Sequence, residues 1–362
     1  MRTGPGSGVV LVVRAPGRVN VIGDHTDYQE GLCLPMAIDR EVVVRARGRI
    51  DGLVVARSDA IDGAVELPAD GSTEPASAEP RWGRSIAAVL RGLAERGRAP
   101  IGFDAEVTST VPVGSGLSSS AAFTVAVTIA AAEIAGLELD GRAVALQAQA
   151  AEQHATGLPC GVMDQMASVF GRAEHALLLD CRSLDLEAIP LPPSAAVAVV
   201  HTGVARRLED SAYAERRAAC EAAAAQLGAP TLRDATIDQV AGDPFARHVV
   251  SENHRVLDFV DALRSGDLDR CGRLMHASHA SLRDDFRVST PELDALVDAL
   301  LDAGAYGARL TGAGFGGCVV GLVAAGGVDE ILARAAARYR STTGLTPVPL
   351  VVHAVDGAGL VT

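Results

Sequence analysis

Residues 112–122 read Pro-Val-Gly-Ser-Gly-Leu-Ser-Ser-Ser-Ala-Ala, a glycine turn running straight into a serine cluster. Ahead of it, Phe103, Ala105 and Val107 alternate with Asp104, Glu106 and Thr108, the period of a half-buried strand. Behind it, Ala121–Ala135 is rich in alanine and free of glycine and proline, which predicts a buried helix. A strand, a glycine loop and a helix start aim backbone N–H groups and hydroxyls at one point. The open amides and dipole of a helix N-terminus favour an anion there by roughly 0.3–1 kcal/mol before any side chain helps. Phosphate is the chemistry this run points to. A glycine- and serine-rich connector capped by serine is the plainer alternative.

Every one of the 32 Lys+Arg residues is arginine. A Walker A loop needs Gly-Lys-Ser/Thr, and protein-kinase chemistry needs a strand lysine, so both are excluded. Nucleotide bound here must be held by amides, serine hydroxyls and a metal.

Three further runs collect polar residues. Between Gly17 and Tyr28, the side chains of Asn20, Asp24, His25, Asp27 and Tyr28 fall within nine residues, with glycines on both sides. Short acceptors at that density suit a polyol, though a solvated turn has the same composition. From Glu152 to Gln165, Pro159 and Gly161 break one helix, and Met163, Met166, Val169 and Phe170 start another. Asp164 then falls in the first turn of the new helix, where it serves either a ligand or the helix dipole. Thr311–Cys318 (TGAGFGGC) looks like a dinucleotide fingerprint, but the apolar Val319–Val323 after it is a strand and not a helix. The run is therefore read as a glycine turn between two strands, close to a ligand.

The elements that hold these runs divide near Ile189–Pro193, predicting domains at 1–190 and 191–362. The first half mixes strands (Val9–Val13, Glu41–Arg47, Leu53–Arg57, Phe103–Val111) with long helices out of alternation, an α+β pattern. The second runs from a strand at Ala195–His201 through helices spanning Ser211 to about Ala303. Two strands (Ala308–Thr311, Cys318–Val323), a helix (Val328–Arg340) and a strand near Val348–Val355 complete it. That β–α–β–β–α–β order predicts a ferredoxin-like unit with a helical insertion.

Net charge is −13, with no basic stripe, which argues against nucleic acid as a partner. The six cysteines are scattered without a C-x-x-C pair, as reduced thiols of a cytoplasmic protein would be, and zinc is not expected. No stretch has the length and apolarity of a membrane span, and Val9–Val13 is too short for a signal peptide.

Taken together, the runs resemble the galactokinase branch of the GHMP small-molecule kinases. The sugar signature is matched at Gly17–Ile38, the phosphate loop at Pro112–Ala122, the catalytic-acid segment at Glu152–Gln165 and the third motif at Thr311–Cys318. Ser211–Cys220 looks like the family's tyrosine-bearing helix. The resemblance implies a two-domain α+β fold, with an N-terminal ribosomal protein S5 domain 2-like unit and a C-terminal ferredoxin-like unit. It further implies transfer of the γ-phosphate of ATP to the anomeric hydroxyl of a free sugar, galactose, with Mg²⁺ as cofactor and a monomeric protein. By similarity, Asp164 meets the sugar's C1 hydroxyl as general base with Arg18 beside it, and Asp24, His25, Asp27, Gly161 and Tyr213 meet the sugar. Gly114, Ser115, Gly116, Leu117, Ser118, Ser119 and Ser120 wrap the phosphates, and Ser120 and Glu152 hold the metal.

The chain departs from the common pattern in three places. It has Asp24 for the usual Glu, Gln29 for the usual Asn, and Ala205-Arg206-Arg207-Leu208 ahead of Tyr213. These departures keep a kinase of a related sugar, such as N-acetylgalactosamine or L-arabinose, in view. A sugar- and ATP-binding sensor without catalysis is a further alternative, against which Ser119-Ser120-Ala121-Ala122, Arg18 and Asp164 are all kept. A scaffold role has no comparable support.

Overall fold

The computed structural model describes residues 9–112, 114–204 and 210–361, so Arg206 and its neighbours, like Val113, lie outside the described residues. The strands in chain order are β1 (Val10–Asn20), β2 (Leu32–Cys33), β3 (Pro35–Arg49), β4 (Leu53–Ser58), β5 (Val65–Pro68), β6 (Gly102–Ser109), β7 (His175–Asp180), β8 (Leu186–Pro190), β9 (Ala195–His201), β10 (Gly307–Thr311), β11 (Cys318–Ala324), β12 (Val348–Val352) and β13 (Gly359–Leu360). The helices are α1 (Gly83–Glu95), α2 (Ser119–Ala135), α3 (Gly141–Thr156), α4 (Met163–Phe170), α5 (Asp210–Gln226), α6 (Pro244–Ser265), α7 (Leu268–Asp284), α8 (Pro291–Asp302) and α9 (Val328–Thr343).

The first sheet has the order β13-β1-β3-β6-β4-β5, antiparallel except for the β4–β6 pair. Its strands alternate as the sequence does: Phe103, Ala105 and Val107 are buried while Glu106 and Thr108 face out. α2 packs on β1 and β3 and against α1, α3 and α4. It is apolar on all sides because sheet and helices enclose it, which is why its sequence lacks a polar stripe.

A small sheet, β2-β7-β8, is not visible in the sequence pattern, since β2 is two residues long. The last sheet has the order β10-β11-β9-β12, antiparallel throughout, the ferredoxin-like arrangement expected from the element order. Between β9 and β10 the described residues form four α-helices, α5 to α8, where the simplest version of that motif has one. Start signals set them: Asp243 caps α6 by accepting from Phe245 and Ala246 N–H with Pro244 at the first turn, and Thr290–Pro291 does the same for α8.

Candidate active site

β1 carries a bulge between Pro16 and Arg18, where its register with β3 shifts. Gly17 occupies the bulge because the phosphate-side loop passes close by: a Cβ there would lie 2.6 Å from the Leu117 carbonyl oxygen. The Arg18 N–H donates to that same carbonyl at 3.1 Å. A bulge re-aims the side chain that follows it, and here it sends the Arg18 guanidinium to Asp164. Nε meets Oδ1 and Nη2 meets Oδ2, both at 2.7 Å, while Nη1 donates to the Gly116 carbonyl at 2.6 Å. One buried arginine thus joins three runs that the sequence kept far apart.

Asp164 lies in the first turn of α4, as the helix-breaking Pro159 and Gly161 predict. Its Oδ2 also accepts the Ser118 hydroxyl. Ser118 stands at the N-cap of α2 with φ +61°, and its hydroxyl makes no capping bond there. The serine-capped connector is therefore not what forms.

A cavity of about 750 Å³ opens over this pair. The sugar-signature loop lines it with Arg18, Asp24, His25 and Asp27, and the phosphate loop with Gly114, Gly116, Ser118, Ser119 and Ser120. Glu152, Cys160, Gly161, Asp164 and Gln165 contribute another wall, and Gly312–Phe315, Tyr213 and His201 also line it. Two residues expected at phosphate do not line it with their side chains. Leu117 is buried in the core and Ser115 turns its hydroxyl back to the Pro112 carbonyl at 2.7 Å.

The polar loop is ordered from within. His25 sits at φ +62°, its Nε2 donating to the Ala313 carbonyl at 3.2 Å and its Nδ1 accepting from the Tyr28 hydroxyl at 2.9 Å. Tyr213 packs edge-on against Tyr28, with ring centres 5.6 Å apart. Asn20 and Tyr28 are supports and do not line the cavity. Gly161 leaves space for Asp27, since a Cβ there would fall 1.8 Å from Asp27 Oδ2. Gln29 turns away from the cavity and accepts from the Leu232 N–H at 3.1 Å. Of the described departures from the common pattern, only Asp24 reaches the site.

Carboxylates outnumber cations here. Burial pushes Asp27 up to about 7, with the Asp164 charge adding to it. Burial also pushes Glu152 up to about 7, against hydrogen bonds from Ser120 and Gln165. Ser120 Oγ donates to Glu152 Oε1 at 2.5 Å and Gln165 Nε2 to Oε2 at 2.6 Å. Asp24 is raised by burial in spite of Arg309, whose guanidinium it meets; it also accepts the Gly312 N–H at 3.1 Å.

Sequence reading missed the outer supports. On α6, Glu252 Oε1 accepts from Gly23 N–H at 3.1 Å, Asn253 Oδ1 from Leu32 N–H at 2.8 Å, and His248 Nε2 donates to the Asp24 carbonyl at 3.1 Å. Burial lowers His248 to about 4, so it is neutral. Their spacing of four and one on a helix marks one face, but nothing local says what that face touches. Arg309 had a visible signal, a cation inside an apolar strand. His201 lines the cavity with no motif to announce it.

The chain matches the model of the GHMP kinases N terminal domain over residues 84–172 and that of the GHMP kinases C terminal over 259–341. The galactokinase galactose-binding signature matches residues 6–47. It is 46% identical to the galactokinase of Roseiflexus sp. (strain RS-1), over 97% of this chain and 93% of that one. To the galactokinase of Chloroflexus aurantiacus it is 45% identical, over 96% and 92%. The crystal structure of Lactococcus lactis galactokinase complexed with galactose superimposes with a TM-score of 0.92 at 30% identity, covering 97% of this chain and 95% of that one. Mevalonate kinase of Methanococcus jannaschii shares the fold at a TM-score of 0.71 and 18% identity, over 96% and 99%. With four collinear motifs converging on one cavity and relatives matched from end to end, the chain belongs to the galactokinase family of GHMP kinases.

Proposed function

We propose that this protein phosphorylates D-galactose at its anomeric hydroxyl with ATP, giving galactose 1-phosphate and ADP. The carrying observation is the two-pronged Arg18–Asp164 pair, set between a polyol-suited loop and the N-terminal end of α2 in one cavity. Phosphoryl transfer asks a protein mainly for alignment and charge stabilisation. Asp164 takes the hydroxyl proton, and Arg18 orients it and offsets charge on the transferring group. The α2 amides, with Gly114, Gly116, Ser118, Ser119 and Ser120, receive the phosphates. Asp24, His25, Asp27, Gly161 and Tyr213 hold the sugar.

Mg²⁺ fits the donor set. Glu152 is a carboxylate with no arginine ion pair among the described residues, raised to about 7 by burial, and it accepts a hydrogen bond from the Ser120 hydroxyl. Among the described residues no cluster of three or more His, Cys, Asp or Glu could hold a metal. Mg²⁺ needs fewer, since it keeps waters and takes substrate phosphates as ligands. Ser120 and Glu152 would hold it, and bound there it would neutralise phosphate oxygens.

Asp24 favours a second reading. Its carboxylate is engaged by Arg309 and Gly312, so the sugar pocket has a different acceptor from the usual Glu, and a related sugar becomes an alternative substrate. A panel of galactose, N-acetylgalactosamine and L-arabinose with coupled ADP detection tests both. Highest kcat/KM on galactose supports the first; turnover of another sugar without galactose overturns it.

The same reading includes a monomer in the cytoplasm, with a division between domains near residue 190. The thiols of Cys33 and Cys181, 3.8 Å apart and unjoined, suit a reducing compartment. Among the described residues no helix is long and apolar enough to cross a membrane.

A further inference from the structure

Arg309 is fully buried and lies outside all four motifs. It sits on β10 two residues before Thr311, so both side chains leave the same face of the strand. That face meets the sugar loop. Arg309 Nη1 donates to the Asn20 and Val21 carbonyls at 3.3 and 3.1 Å, and Nη2 to Asp24 Oδ2. Thr311 Oγ1 donates to the Asn20 carbonyl at 3.0 Å. Ala308 and Leu310, on the other face, belong to the core. A cation in such a strand must be matched by its partners, because an unpaired buried charge is strongly destabilising.

We propose that Arg309 is a positioning residue that sets affinity for the sugar, by fixing both the place and the charge of Asp24. This deepens the galactokinase reading above and rests on it. Three carboxylates of the cavity, Asp24, Asp27 and Asp164, compete for cations. Arg18 is taken by Asp164, and Arg309 is the principal charge on Asp24. Among the described residues, other charged or titratable groups near Asp24 or the adjoining backbone include Arg18 from β1, Asp27 and His25 from the loop itself, and His248, Glu252 and Arg255 from α6. None of these makes an ion pair with the Asp24 carboxylate among the described contacts. Burial already raises Asp24 in spite of the guanidinium, so loss of Arg309 removes the charge that opposes burial and raises it further. A carboxylate one methylene shorter than Glu also has less reach, which makes its position more dependent on what grips it.

The test compares wild type, R309M, R309K, D24N and the R309M/D24N double variant. It reads KM for galactose and for ATP, kcat, and kcat/KM for galactose as a function of pH. R309M is expected to raise galactose KM about tenfold or more while ATP KM changes less than about twofold. Its kcat/KM for galactose should gain a second ionisation, from Asp24, so that it falls more steeply on acidification than in wild type or the double variant, in which Asp27 alone gives the dependence. R309K, which keeps a charge, should lose that ionisation again while retaining part of the KM defect. The inference is overturned by equal rises in both KM values, or by a pH profile like that of wild type with additive effects of the two substitutions. Should R309M not fold, R309K and D24N decide: a galactose-specific KM rise in both supports the inference, and its absence in either overturns it. Wild type that turns over no galactose removes the functional reading and this inference together, whereas a turning-over wild type with insensitive variants removes only this one.

Discussion

Arg18 and Asp164 stand 146 positions apart in sequence and meet through two parallel hydrogen bonds of 2.7 Å. The arginine comes from a strand bulge and the aspartate from a helix start, so neither can turn without breaking its own element. Such fork-to-fork pairing fixes orientation as well as charge.

Asp164→Asn keeps the shape of that pair but removes the acceptor for the sugar proton. We expect kcat to fall about 10²–10⁴-fold with ATP and galactose affinity within a few-fold of wild type. Steady-state kinetics paired with titration calorimetry checks both halves. Normal turnover in the variant would take Asp164 out of catalysis.

Glu152→Gln keeps the contacts to Ser120 and Gln165 in outline and loses the charge. The half-saturating Mg²⁺ concentration should rise about tenfold or more, with the galactose KM little changed. An unchanged metal titration would remove Glu152 from that role.

Asp27, raised to about 7, should make sugar binding depend on pH. A carboxylate that accepts from a sugar hydroxyl must be ionised, so galactose affinity should weaken as pH falls through 7. Binding at that pH should release protons, visible as a buffer-dependent enthalpy. For stability the sign is opposite. A folded-state value above the unfolded one favours the native state at low pH, and the penalty grows as pH rises from about 4 to about 7. Asp27→Asn should therefore raise Tm more at pH 8 than at pH 5, while flattening the affinity profile. Equal Tm shifts at both values would contradict this.

Gly161→Ala places a methyl group where the Asp27 carboxylate lies. Asp27 must move, and galactose KM should rise about tenfold while ATP KM stays within about twofold. Thermal melting should show little change, because the displaced group lines a cavity and not the core. A parallel rise in both KM values would argue for general disorder of the site.

Glu252 tests the outer support. Burial opposes its charge, but Arg255 first, then His248 and Arg309, hold it down to about 2. Its contribution is present above about 4.5 and is lost as pH falls towards 2. Glu252→Ala should cost about 3–5 kcal/mol in urea unfolding at neutral pH, because it strands Arg255 and the Gly23 N–H. The loss should shrink on acidification. A pH-independent loss would point to packing alone.

The parts of the site that were legible in the sequence are those whose causes are local. The β6–loop–α2 run shows itself by alternation, glycines and an alanine-rich helix, and Asp164 by the helix break before it. The glycine turn after β10 is legible because a strand follows it where a dinucleotide fold would have a helix. What escaped depends on distant partners. The hold of α6 on the sugar loop crosses 221–229 positions, and no periodicity says which loop a helix face will meet. β2 is too short to alternate, and its sheet exists because Leu32 and Cys33 pair with Asp180 and Leu179. Gln29 and Asp24 look like equivalent departures on paper. Folding separates them, turning one towards Leu232 and the other into the cavity.

The most direct measurement is phosphorus NMR of the products formed from galactose and ATP by wild type and Asp164→Asn, with calorimetry confirming that the variant binds both substrates. The account predicts galactose 1-phosphate and ADP from wild type, and at most a trace from the variant. Galactose 1-phosphate accumulating at similar rates from both proteins, or phosphate on another hydroxyl, would contradict it.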